Sequence, residues 1–224
     1  MRIVLLPGMD GTGRLFSPLL PFLDKDSTTI ISYPTVGKQD YDTLAEHVKS
    51  KLPDEEFILV AESFSGPIGA ILAKSNIPNL KAIVFVATFL STPSRPLLKI
   101  VRHLPIKLLS KMPFVSAIYR FYMFGRHASE GVLSLFKDVL AELPSKTLKQ
   151  RMAAIQSLKP SGGCIELPVV YIRAKEDRLV PYSKCLEFKA LFKNLSVKTI
   201  SGPHFIIQVN PEGCARVINS IHTC

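Results

Sequence analysis

A serine hydroxyl is a poor nucleophile near neutral pH unless a histidine takes its proton and a carboxylate orients that histidine. Ser63 stands in a setting that suits such chemistry. The apolar run Phe57-Ile58-Leu59-Val60-Ala61 ends at Glu62-Ser63, and small residues resume in a helical pattern through Ser65-Gly66-Pro67-Ile68-Gly69-Ala70. That order reads as strand, sharp turn, helix, with the serine at the tip of the turn. Residues flanking such a turn must be small, because it presses them against neighbouring backbone. Ala61 and Ser65 hold the places that glycines take in G-x-S-x-G, so the pentapeptide by itself is a weak signal. A base and a carboxylate are available further along, as His204 in Ser201-Gly202-Pro203-His204-Phe205 and Asp177 in Ala174-Lys175-Glu176-Asp177-Arg178-Leu179-Val180-Pro181. Glu176, beside Asp177, is an alternative carboxylate. His47, His103, His127 and His222 lack comparable neighbours and read as ordinary histidines. Glu62 has no role that the sequence explains.

Residues so far apart meet only if the fold gathers them. Arg2-Ile3-Val4-Leu5-Leu6 is a short buried strand ended by Pro7-Gly8, and Gly8 to Gly13 is a glycine-rich loop. Helical spacing from Leu15 to Leu23 is interrupted by Pro18 and Pro21. Ser27 to Ser32 reads as a second strand, and Thr43 is a candidate N-cap for a helix carrying Leu44, Val48 and Leu52 on one face. The strand leading to Ser63, its following helix and a fourth strand, Leu80 to Ala87, come next. Strand signals then vanish from Ser91 to about Gly163, where apolar residues recur at helical spacing between Pro96, Pro105, Pro113 and Pro144. Leu167 to Arg173 is a strand, Leu186 to Phe192 a helix, Leu195 to Ile200 the last strand and Pro211 to His222 a terminal helix. Apolar strands alternating with helices argue for a doubly wound, mostly parallel sheet covered on both faces. In such a sheet the loops at the carboxyl ends of the strands converge, and Ser63, Asp177 and His204 each follow a predicted strand.

The chain order of nucleophile, acid and histidine, with Asp-x-x-Val-Pro after a small residue and with Gly-x-His-Phe, resembles the α/β-hydrolase superfamily over nearly the whole length. The resemblance implies six strands in the order 2-1-3-4-5-6, without the usual N-terminal hairpin. It implies a core of residues 1–90 and 164–224, with residues 91–163 inserted after the fourth strand as a helical cap. Catalytic roles fall on Ser63, Asp177 and His204. The backbone N–H of Phe64, the residue after the nucleophile, is one oxyanion donor, and the N–H of Met9 behind Pro7-Gly8 is the other. Gly8, Asp10 and Phe205 are the implied substrate contacts. A phosphate-cradle reading of Gly8 to Gly13 competes, but no Walker lysine follows and the G-x-G-x-x-G spacing is absent. A serine nucleophile points to hydrolysis of a carboxylic ester or thioester, with acyl transfer, lyase chemistry or a non-catalytic binding role on the same fold as alternatives. Neither metal nor organic cofactor is implied.

Composition bounds the remaining questions. A chain of 224 residues with 47% hydrophobic and 21% charged residues is a globular domain, unlike disordered or fibrous sequences. No apolar run approaches the ~18 residues of a membrane span, and Met1 to Leu6 is too short for a signal-peptide core, so a cytoplasmic location is expected. Cys164, Cys185, Cys214 and Cys224 show neither C-x-x-C nor a Cys/His metal spacing and read as free thiols. The net charge is +10, and between Ser91 and Pro160 twelve basic residues face three acidic ones, so one segment carries nearly all of it. A solvated surface explains that charge, as does contact with anionic lipid or docking of an acidic partner such as an acyl carrier protein. Short capped hydrolases that cleave pimeloyl-carrier methyl esters use a basic cap in this way, and the present layout is similar to theirs. Nucleic acid is not an expected partner, because no recognition module is visible and the charge is confined to this segment.

Overall fold

A computed structural model describes residues 1–93, 114–125, 128–159 and 162–222. Six strands form one sheet in the order β2-β1-β3-β4-β5-β6, with every pair parallel: β1 Arg2–Leu6, β2 Thr28–Ile30, β3 Phe57–Glu62, β4 Leu80–Val86, β5 Val169–Ala174 and β6 Leu195–Ile200. Central β3 is buried along its whole length, whereas edge strand β6 alternates in exposure. That contrast is expected of a sheet sandwiched between two helical layers.

On one face, helices α1 (Tyr41–Lys49) and α2 (Gly66–Lys74) pack over Val4, Leu59, Ala61 and Phe85, together with Phe188 and Phe192 from the C-terminal half of the chain. On the other face the C-terminal helix Pro211–His222 and the turns around Phe16 and Leu19 cover Ile3, Leu5, Ile58, Val60 and Val84. Between β4 and β5 run α3 (Val115–Tyr119, continued as a wider π-type turn through Arg120–Phe124), α4 (Glu130–Glu142) and α5 (Ser145–Ser157). They enclose a third apolar cluster, including Tyr119, Phe124, Phe136, Leu148 and Met152, which Leu15 joins from the turn after β1.

Several local expectations need correction. Residues 14–22 form two short 3-10 turns, Arg14–Phe16 and Leu20–Phe22, because Pro18 and Pro21 each lack the N–H that an α-helix needs. The N-cap of α1 is Asp40, whose Oδ1 accepts the Thr43 N–H at 2.8 Å, so Thr43 lies inside the helix and Leu52 beyond its end. β2 keeps only three residues of the expected Ser27 to Ser32. β4 stops at Val86, since Ala87 turns left-handed with φ 45°. The run Leu97 to Leu109, with Arg95, Lys99, Arg102, Lys107, Lys111, Arg126, His103 and His127, lies outside the described residues, as does Cys224. Cys164, Cys185 and Cys214 are free thiols. Among the described residues no helix is long and apolar enough to cross a membrane.

Candidate active site

The sharp turn after β3 is the structural root of the site. Ser63 has φ 47°, an unfavourable value for a residue with a Cβ, and it opens a 3-10 turn (Ser63–Ser65) that feeds directly into α2. Two glycines make this possible. A Cβ on Gly66 would stand 2.0 Å from Thr88 Oγ1, and one on Gly69 would stand 2.9 Å from the Phe85 ring. Thr88 Oγ1 in turn donates to the Ser63 carbonyl. Ser65, in the place of a consensus glycine, uses its hydroxyl: it donates to the Pro7 carbonyl and meets the Tyr33 hydroxyl, with both side chains buried.

Ser63 Oγ lies 2.9 Å from His204 Nε2, and His204 Nδ1 lies 2.8 Å from Asp177 Oδ2. The carboxylate can only accept, so Nδ1 carries the proton and Nε2 is free to receive that of the serine. Asp177 is fixed by its other oxygen, which accepts the N–H groups of Leu179 and Val180 at 2.8 and 2.9 Å. Glu176 points elsewhere, accepting the Gly202 N–H, so the alternative carboxylate is not at the histidine. Asp177 and His204 side chains are both 6% exposed. Burial pushes the His204 pKa down. The charge and hydrogen bond of Asp177, helped by the nearby Glu62, outweigh it, and the net direction is up.

Gly8, Met9, Asp10, Ser63, Phe64, His204 and Phe205 all line one cavity of about 390 Å³, with Asp177 behind the histidine. Its far walls are apolar: Val115, Tyr119 and Met123 from the α3 region, Phe136 and Val139 from α4, Leu148, Met152 and Ile155 from α5. Phe205 packs on Phe124 and Phe136 with ring centroids 4.4 and 5.4 Å apart, and its N–H donates to the Met123 carbonyl at 3.0 Å. Arg178, next to Asp177, lies over the Phe121 ring at 4.0 Å and donates to the Phe121 carbonyl at 2.8 Å. The loops bearing the acid and the histidine are thus each tied to the α3 region. Among the described residues neither the Met9 nor the Phe64 N–H has a protein acceptor. Asp10 spends one carboxylate oxygen on Thr12, accepting from its N–H at 2.9 Å and its hydroxyl at 2.6 Å.

Two residues at the site escaped the sequence reading. Glu62 is buried below Ser63, where it accepts from Gln208 Nε2 at 2.9 Å and from the Gly8 N–H; burial chiefly lifts its pKa to about 7. Arg151, one of the twelve basic residues between Ser91 and Pro160, is completely buried. Its position between Leu148, Met152 and Ile155, on the apolar face of one helix, was the available signal. Among the described residues no cluster of histidine, cysteine, aspartate or glutamate is arranged to hold a metal.

A six-stranded parallel sheet with a serine elbow after its third strand defines the α/β-hydrolase class. The model of the family described as serine aminopeptidase, S33, matches residues 38–202, well over half of the chain, and the protein belongs to this hydrolase family. Solved structures share the fold across large sequence distances. An esterase from Exiguobacterium antarcticum superimposes with TM-score 0.80 at 14% identity, over 100% of this chain and 92% of that one. A bromoperoxidase from Bacillus anthracis gives 0.80 at 17% identity, also over 100% and 92%. An enol-lactonase from Burkholderia xenovorans gives 0.79 at 14%, over 99% and 91%. No curated protein matches the sequence.

Proposed function

We propose that the protein is a serine hydrolase that cleaves a carboxylic ester or thioester of an apolar acyl group. The observation that carries this reading is the Ser63–His204–Asp177 relay opening onto an apolar cavity. Ser63 Oγ attacks the acyl carbonyl while His204 Nε2 takes its proton. The oxyanion receives the N–H groups of Met9 and Phe64, and the tetrahedral intermediate collapses to acyl-Ser63 as His204 protonates the departing alcohol or thiol. Water, activated by the same histidine, then releases the acid. Asp177 orients the imidazole and stabilises its protonated form. Segment 91–163 acts as the cap whose helices wall the acyl site; a cavity of about 390 Å³ falls within the range of small-molecule pockets, roughly 300–1,000 Å³. The positive surplus of that segment fits an acidic carrier that presents the acyl group.

The decisive experiment is fluorophosphonate labelling of wild type and Ser63→Ala. Folded wild type that takes no label would sink the reading. A panel of p-nitrophenyl esters of increasing chain length, acyl-CoA, acyl-carrier protein and amino-acid p-nitroanilides then ranks substrates, and product analysis separates hydrolysis from acyl transfer. Esters or thioesters should outpace the anilides. Carrier-bound substrate should gain at low salt and lose that gain at high salt.

A further inference from the structure

The loop from Pro7 to Gly11 has every carbonyl oxygen tied down. Pro7 O accepts from Ser65, Gly8 O from the Gly11 N–H at 3.1 Å, and Gly11 O from the Tyr33 N–H at 2.8 Å. The two in the middle, Met9 O and Asp10 O, both accept from Arg151 Nη1 at 2.8 Å. Two of the three remaining guanidinium donors go to Gln39 Oε1 at 2.9 Å and Pro34 O at 3.0 Å. Arg151 therefore gives a fully buried charge to neutral acceptors, and among the described residues no carboxylate pairs with it. Burying a cation in this way is costly, and the charge-assisted bonds that offset the cost are correspondingly strong and directional. The fit is close, because a Cβ on Gly11 would come within 2.3 Å of Nη1.

The consequence for the loop is geometric. Fixing the Met9 and Asp10 carbonyls fixes the two peptide planes that follow Met9, and the Gly8–Gly11 bond fixes the plane that precedes it. Among the described residues the N–H groups of both Met9 and Asp10 lack a protein acceptor, and the Met9 N–H, two residues behind Pro7, lies on a loop that lines the cavity beside Ser63. We infer that Arg151 is a positioning residue for the Met9 oxyanion donor: by fixing the Asp10 carbonyl it holds the Gly11 N–H of the same peptide plane, and that N–H holds the Gly8 carbonyl, whose plane carries the Met9 N–H. It acts from α5, the helix that also supplies Leu148, Met152 and Ile155 to the acyl wall. One helix thereby sets both the shape of the acyl site and the aim of the oxyanion donor. This inference rests on the acyl-enzyme reading given above.

The test uses Arg151→Met and Arg151→Lys in the full chain, each checked by circular dichroism and thermal melting. Lysine keeps the charge and the aliphatic stem but not the fork, so it is the milder variant. The substrate is the best p-nitrophenyl ester. The probe is a trifluoromethyl ketone of matching chain length, which forms a hemiketal with Ser63 and places its oxyanion in the hole. Arg151→Met should lower kcat roughly 10- to 100-fold with KM changed less than about 3-fold, and weaken the ketone by the same factor as kcat. Arg151→Lys should fall between it and wild type. Unchanged kcat and ketone affinity in either folded variant overturns the assignment, as does a loss of kcat that leaves ketone affinity intact. If Arg151→Met does not fold, the lysine variant decides by the same two readings. Failure of the underlying reading looks different: wild type itself would take no fluorophosphonate and bind no ketone.

Discussion

Glu62→Gln isolates an unusual group at the floor of the site. The Glu62 side chain is only 5% exposed, and burial raises its pKa from 4.5 to about 7; the bonds from Gln208 and Gly8 and the attraction of His204 pull it back, while Asp10 adds to the rise. Between those two values the folded protein holds a proton that the unfolded chain has released. Stability is therefore fully present below pH 4.5 and is lost as pH rises through about 7. A shift of that size corresponds to about 3 kcal/mol, or ~6–12 °C in Tm for a chain of this length. Glutamine removes the ionisation and fits the site. Gln208 Oε1 is buried without a partner, so a turned Gln208 amide can accept from the new side chain, giving up the 3.3 Å bond from its Nε2 to the Leu15 carbonyl at a cost that does not vary with pH. The stability of Glu62→Gln relative to wild type should rise by about 3 kcal/mol between pH 4 and pH 8, measured by urea unfolding. Loss of the Glu62 charge also removes one influence that raises the His204 pKa, so the acidic limb of kcat/KM moves to lower pH. Parallel stability curves for the two proteins across this range would refute the reasoning.

Other substitutions probe separate parts of the site. Asp177→Asn should cut kcat/KM by roughly 10³- to 10⁴-fold in the ester assay, because asparagine no longer selects the tautomer with a free Nε2. Gly66→Ala drives a Cβ into Thr88 Oγ1 and unsettles its bond to the Ser63 carbonyl; a loss of ~1–3 kcal/mol in unfolding and slower fluorophosphonate labelling are expected. Met152→Trp enlarges one wall of the cavity and should move the p-nitrophenyl ester preference to shorter chains, read as the ratio of kcat/KM for long and short esters.

The sheet was legible because each strand is an apolar run ended by a turn, and its parallel sense followed from strands alternating with helices; the strand order came from the resemblance to the α/β-hydrolase superfamily. The positions of Ser63, Asp177 and His204 were legible for the same reason, since each follows a strand and the sheet brings such ends together. What stayed hidden depends on contacts distant in sequence. Nothing around Glu62 points to Gln208, which lies 146 residues away, or shows that the carboxyl is sealed from water. The helical spacing of Arg151 with Leu148, Met152 and Ile155 places it on a buried face, but which groups receive its charge shows only when Met9, Asp10, Pro34 and Gln39 close around it. The capping error at Thr43 has a different cause: Asp40 and Thr43 are both good caps, and only geometry shows which of them bonds to the other.

The hydroxyl of Ser65 has a practical implication for protein engineering. A library steered toward the commonest residue at each position would restore glycine here, on the premise that the sharp turn prefers it. The turn does not need that glycine, since the left-handed residue is Ser63, and Ser65 has φ −80°. The exchange would instead strand the Pro7 carbonyl and the Tyr33 hydroxyl in a dry interior, each worth about 1–3 kcal/mol when left unpaired. Averages taken over a superfamily would weaken this member at the joint between its first and third strands.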